Sequence, residues 1–424
     1  MSPNLATTTE TSHRWHFFRQ SAWMMAATVA NGVFMAAVHP LASKVIPEVE
    51  YGVMGTYLQL ITWLTIPAVG LRMVFAHQAS AGWTEAARKE LTATTHAVLA
   101  GTFCVWLLMA VVIAVGRDYF RQVLQLTNPA GLWVTLWVAL PMLWLPIFQG
   151  IMQGNQNFLW LGTSDFLNGF GRFCSALVIV LVVGGFATGV MVGALIGMVM
   201  ALAVGVWQTR SVWLSWGSRF RWRPWLAQVI PLTLGFGSAQ YMLSADMIFV
   251  QSHFPSDQTP PYVAAGTLGR ALVAFTGPLA AVMFPKLVRS HKRAETTDVL
   301  WLTLLSTALL GAFGAVMLTF LAPIVVRLGF RPDFVTIAPL VPWFAWCMLP
   351  LAMANVLVNN LMAKSHFAAV PAMVAVAVAY TWFLQKFGMK SFFSVVQTLG
   401  AFNLLLLIVT AIYSRKPAVE KKPS

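Results

Sequence analysis

The sequence predicts an all-α integral membrane protein of twelve transmembrane helices, arranged as two six-helix lobes related by a parallel internal repeat. Three observations carry this. The 424 residues are 58% hydrophobic and 9% charged, whereas about a quarter of a water-soluble chain is charged. The apolar residues gather into twelve runs, most of about the 20 residues needed to cross a hydrocarbon core. Two short patterns also recur about half a chain apart.

The runs lie near 20–42, 52–75, 97–115, 131–153, 158–183, 190–210, 228–252, 262–284, 301–326, 338–362, 368–385 and 392–414. Between them only short polar loops remain, which excludes an extramembrane catalytic domain. About twenty polar residues precede a first run long enough to span, so it reads as a retained helix and not a cleaved signal. Cys104, Cys174 and Cys347 fall inside apolar runs with no C-x-x-C spacing, and predict neither a disulfide nor a metal site.

The net charge of +14 is first a topology signal. With a cytoplasmic N-terminus, 17 of the 27 Lys and Arg fall on the inner side and seven on the outer side. Arg72, Arg172 and Arg270 remain within spans. The positive-inside bias therefore places both termini in the cytoplasm. The inner stretch 211–227 interleaves Trp213, Trp216, Trp222 and Trp225 with Arg219, Arg221 and Arg223. Such a pattern can bind single-stranded nucleic acid, but in a membrane chain it reads as a headgroup-level linker with its guanidiniums toward anionic lipid. The expected division is an N-terminal lobe at 1–213, a linker at 214–227, and a C-terminal lobe at 228–424 with a short basic tail.

The repeat is carried by two matches. Tyr51, Gly55, Thr56, Thr65 and Pro67 fall on Tyr262, Gly266, Thr267, Thr276 and Pro278 at an offset of 211. Trp137, Leu140, Pro141 and Phe158 fall on Trp346, Leu349, Pro350 and Phe367 at an offset of 209. Both pair spans six apart, so partners cross the membrane in the same direction and the axis lies along the membrane normal. Prolines in the spans can break helices and free carbonyls toward a cavity, or simply kink them. Gly193 and Gly197, a G-x-x-x-G pair in span six, mark either a dimer face or, with eleven neighbouring helices available, close packing inside the bundle, which is the expected reading.

Charges deep in spans are expensive and face the bundle interior or water. In span five, Asp165, Asn168, Arg172 and Ser175 share one helix face. They form either an Asp165–Arg172 structural contact or the wall of a wet cavity. Arg270 stands eight residues into span eight, about 12 Å deep at 1.5 Å per residue, so it points inward. Its repeat partner is Gln59. Arg72, nearer an end of its span, is expected to snorkel. Asp246 in span seven either pairs with Arg270 or binds a coupling ion, a role also open to Asp165. Asn355 and Asn359, with Thr233, Gln240 and Ser244, extend the polar lining into the second half. There is no H-E-x-x-H, G-x-S-x-G, Walker lysine loop or DxD pair, so no enzyme, cofactor or catalytic residue is expected.

In residues 244–293, Asp246 leads through a short loop to the Tyr262-led span and then to Phe284–Pro285. With EYGVMGTYLQLITWLTIPAVGLRMVF (50–75) and QGIMQGNQNF (149–158), this order resembles polysaccharide flippases of the multidrug/oligosaccharidyl-lipid/polysaccharide exporter superfamily. The resemblance extends in order and spacing over essentially the whole chain. It implies two lobes around a central cavity open alternately to either side, and transport of an undecaprenyl-pyrophosphate-type oligosaccharide across the bacterial inner membrane for cell-surface polysaccharide synthesis. It implies Arg172 and Arg270, with Asp165, as the substrate-binding residues. Gln59, Asn168, Asn355 and Asn359 would then meet sugar hydroxyls. Span one departs from the pattern, since Asn31 and His39 are its only strongly polar members and the expected basic cluster is missing. Expected partners are the lipid-linked sugar, membrane lipids and a polysaccharide polymerase or other assembly protein; nucleic acid is not expected. The alternative is a cation-coupled multidrug antiporter of the same superfamily, with Asp165 or Asp246 binding the ion.

Overall fold

The structure, a computed structural model, describes residues 4–80, 84–124, 126, 128–291, 296–331, 334, 338–364 and 366–415, with backbone alone for 4–22, 25, 275, 277–291 and 296–299. Among these residues twelve long helices follow one another. They are α1 (Asn4–Val45), α2 (Glu48–Ser80), α3 (Glu85–Val115), α5 (Ala130–Gly154), α6 (Phe158–Val178) and α7 (Phe186–Gln208), then α9 (Trp222–His253), α10 (Thr259–His291), α11 (Thr296–Gly329), α12 (Leu340–Ala363), α13 (Val370–Phe383) and α14 (Phe392–Arg415). Two short helices, α4 (Arg117–Val123) and α8 (Arg210–Trp213), sit in connections. Ten of the helices are long and apolar enough to cross a membrane; α9 and α10, which carry Asp246 and Arg270, are not in that set. Phe284, Pro285 and Pro278 fall among residues with described backbone only.

The helices outlast their apolar runs because hydropathy marks only the stretch away from water. Helix α3 starts twelve residues before its run, in solvated turns held by local contacts. The Thr84 side chain accepts the Ala87 N–H at 3.3 Å, and Lys89 pairs with Glu85 at 2.7 Å. Pro40, Pro67, Pro141, Pro146, Pro231, Pro323 and Pro350 lie inside helices that continue past them. None of the seven breaks its helix, and Pro141 and Pro146 are buried.

Helix packing is duplicated as the repeat requires. In the first lobe α2 packs on α5, α1 on α6, α6 on α7, α5 on α7 and α3 on α5. In the second, α10 packs on α12, α9 on α13, α13 on α14, α12 on α14 and α11 on α12. Local chemistry repeats too: the Thr56 and Thr267 hydroxyls each donate to the carbonyl four residues back. Helices α6 and α13 each run into a π-helical turn, Ile179–Val183 and Leu384–Gly388.

The lobes join along α2 and α9. A Cβ on Gly70 would lie 2.7 Å from Thr233 Oγ1, and one on Gly237 would lie 2.4 Å from Ile66 Cγ2. Small residues are required here for the backbones to approach. Thr233 therefore belongs to the seam, and Ser244 is buried and donates to the Gln240 carbonyl of its own helix at 2.8 Å. Neither extends a polar lining. Across the pseudo-twofold axis, α1 touches α10 near the α1–α2 end, where His39 Nδ1 lies 3.4 Å from Thr267 Oγ1. Further along α1, a Cβ on Gly32 would meet nothing within 4 Å.

Candidate functional site

The site is built from α1, α6, α9 and α10. Helix α6 is set by glycine contacts with α7: a Cβ on Gly193 would lie 2.7 Å from the Ala176 N, and one on Gly197 would lie 2.4 Å from the Asn168 carbonyl oxygen and 2.7 Å from the Arg172 N. The G-x-x-x-G pair is thus bundle packing. On the α1 side, a Cβ on Gly169 would lie 2.7 Å from the Asn31 Cα. Clamped on both sides, α6 holds Arg172 at 8% exposure.

Arg172 has no carboxylate partner among the described residues. Its Nη1 reaches the Met35 Sδ at 4.0 Å, a weak acceptor, and its Nε has no acceptor. Asn168, one turn away and equally buried, leaves its Oδ1 unpartnered. A guanidinium in this state is costly unless an anion completes it. On α1, His39 Nδ1 lies 3.4 Å from Thr267 Oγ1 of α10, one turn from Arg270.

The Asp165–Arg172 contact is not formed. Asp165 Oδ1 instead accepts Gln149 Nε2 at 2.9 Å. Gln149 Oε1 in turn accepts Arg72 Nη1 at 3.4 Å, and Gln153 Oε1 accepts Arg72 Nε at 3.0 Å. Arg72 therefore turns inward along α5 and does not snorkel. This chain across α2, α5 and α6 balances the Asp165 charge through a neutral amide. Ser175 is half-buried on the same helix.

Arg270 and Asp246 are brought together. Nη2 of Arg270 lies 2.7 Å from Asp246 Oδ1 and 2.6 Å from Oδ2, and its Nε donates to the Leu243 carbonyl at 2.7 Å. Tyr262 donates to Asp246 Oδ2 at 2.7 Å. The guanidinium carbon stands 5.6 Å from the Phe344 ring centre. Side-chain exposure is 10% for Arg270 and 0% for Asp246, so this is a closed ion pair with only Nη1 left over. Sequence reading missed Tyr262 and Gln149 as partners of the two acids, and Gln153 as a partner of Arg72. Each lies on a different helix from the charged group it meets, where periodicity carries no signal, although all three stand in the quoted stretches.

Gln59, Asn355 and Asn359 are half-buried. Asn359 Nδ2 donates to the Asn355 carbonyl at 2.7 Å, which engages one side of its amide. No group of three or more His, Cys, Asp or Glu among the described residues could hold a metal.

The sequence matches no family profile and no curated protein. The fold matches solved transporters. An inward-facing multidrug resistance MATE family transporter of the MOP superfamily superposes with a TM-score of 0.71 at 12% identity, over 91% of this chain and 94% of its own. The lipid II flippase MurJ, inward closed conformation, gives 0.70 at 13% identity, over 93% and 87%. An outward-facing MATE transporter gives 0.62 at 13% identity, over 94% of each chain. The chain thus shares the two-lobe fold of these solved structures.

Proposed function

We propose that this protein is a flippase that moves an undecaprenyl-pyrophosphate-type oligosaccharide across the bacterial inner membrane by rocking of its lobes, lobe 1–213 against lobe 228–424, with 214–227 as linker. Both termini are then cytoplasmic, and the α1–α2 end faces outward. The observation that supports this most is the buried Arg172, with no carboxylate partner among the described residues and beside an unsatisfied Asn168. It offers a pyrophosphate charge-assisted hydrogen bonds that no anion among the described residues takes up. Gln59, Asn355 and Asn359 are the groups left for sugar hydroxyls. Arg270, closed on Asp246, adds at most its Nη1 donor.

The same pairing weighs against a cation-coupled multidrug antiporter. Asp246 is bound by Arg270 and Tyr262 and is not free for a coupling ion, while Asp165 already accepts from Gln149 through Oδ1.

The test is translocation of a short-chain pyrophosphate-linked oligosaccharide in proteoliposomes, with cationic dyes in parallel. Wild-type movement that falls at least about tenfold in Arg172→Ala, the loss expected from one charge-assisted hydrogen bond, supports the flippase. Dye movement that follows a proton or sodium gradient, without sugar movement, would replace it with the antiporter.

A further inference from the structure

Two cations on opposite lobes cap each other's helices. The last four carbonyls of any helix lack an intrahelical donor, and a cation is favoured there. Lys44, at the end of α1, donates through Nζ to the Leu328 carbonyl in the last turn of α11 at 2.6 Å. Arg331, two residues beyond α11, returns the contact, its Nε donating to the Ser43 carbonyl and its Nη2 to the Ile46 carbonyl at the end of α1. Glu48 approaches Arg331 only to 3.9 Å. Beneath these bonds Tyr51 packs against Phe330 and Phe334, with ring centres 6.4 and 5.9 Å away and all three side chains buried.

We propose that Lys44 and Arg331 form a reciprocal latch that holds the α1–α2 end of the lobes shut and must release in each transport cycle. This rests on the alternating-access reading above. The contrast with Arg270 and Asp246 gives the reason. That pair lies inside one lobe, is closed from water, and would strand two charges if it opened. Lys44 is exposed, and the Arg331 side chain is 27% exposed. Both can return to water on release, and so can the carbonyls they cap. The latch is strong enough to bias the lobes and cheap enough to break.

The test is the distance between spin labels on Tyr119→Cys and Lys390→Cys, both exposed and on opposite lobes at this end, with Cys104, Cys174 and Cys347 replaced by serine. The wild-type background should be mainly short. Lys44→Ala, Arg331→Ala and the pair together should raise the open-to-closed ratio roughly tenfold or more, as expected for lost hydrogen bonds to charged groups. Glu48→Gln should leave the ratio near wild type, because the acceptors are backbone carbonyls. A wedge variant, Gly55→Leu, whose Cβ alone would sit 2.6 Å from Val263 Cγ1, forces the lobes apart without touching the latch. If the wedge lengthens the distance and the Lys44 and Arg331 variants do not, the latch is overturned. Opening by Glu48→Gln as large as by Arg331→Ala would make it an ion pair, not a helix cap. Lobes that fail to separate even in the wedge variant would sink the rocking mechanism itself.

Discussion

Arg172 and Arg270 are the same residue type and both are largely buried, yet opposite consequences follow from replacing them. Arg270→Met leaves Asp246 buried without a counter-ion, a loss of about 3 to 5 kcal/mol. Thermal unfolding in detergent should show a large drop, and adding Asp246→Leu should recover most of it. Failure of the second change to rescue would mean the pair does more than neutralise charge. Arg172→Ala removes a guanidinium that the folded chain leaves unsatisfied, so its melting temperature should equal or exceed wild type while glycan movement is lost. A marked fall in stability would expose a partner not seen here. Gln149→Leu removes the donor to Asp165 and should cost about 1 to 3 kcal/mol, read in the same melts.

At the scale of elements, α6 is held by backbone-to-backbone contact with α7. Gly197→Ala already places a Cβ 2.4 Å from a carbonyl oxygen, an overpacking expected to cost about 1 to 3 kcal/mol. Because it displaces the turn bearing Arg172, transport should fall more than stability; equal loss of both would mean α6 is only scaffold. The connection from α8 to the first turn of α9 docks on α3 as a unit. The Ser218 N–H donates to the Lys89 carbonyl at 3.1 Å, Arg88 to the Ser211 carbonyl at 3.2 Å, and His96 bonds the Trp213 carbonyl. Pinned to the start of α3, it presents Trp216 at 92% exposure and three exposed arginines. Replacing Arg219, Arg221 and Arg223 with glutamine should reduce co-purifying anionic lipid, by native mass spectrometry, at about 1 kcal/mol per charge. The spans and the repeat were legible at this scale because lipid exposure demands long apolar runs, and because both halves reuse Tyr, Gly, Thr and Pro at the same register. The linker's docking on α3 was not legible, since it is made through backbone carbonyls that any sequence supplies.

For the whole molecule, the lobes meet along α2–α9 and are tied at the α1–α2 end, and the chain superposes better on an inward-facing MATE transporter than on an outward-facing one. A cargo carrying about two negative charges outward gains roughly 2.3 kcal/mol per charge per 100 mV of inside-negative potential. Translocation in proteoliposomes should therefore rise with an imposed inside-negative potential and need no proton or sodium gradient. Indifference to potential would argue for a charge-compensating ion.

By itself the sequence determined that the chain spans a membrane, how many times, and that its halves repeat, because these depend on the hydropathy and order of residues along one helix at a time. It also singled out Asp165, Arg172, Asp246 and Arg270, since charge inside an apolar run is visible without a fold. Only the tertiary structure decided which of the four is free. Asp246 found Arg270 from a neighbouring helix, Asp165 found Gln149 across another, and Arg172 found, among the described residues, only a methionine sulfur. Pairing depends on which helices become neighbours and at what height, a choice set by glycine contacts and lobe packing that no single-helix pattern encodes.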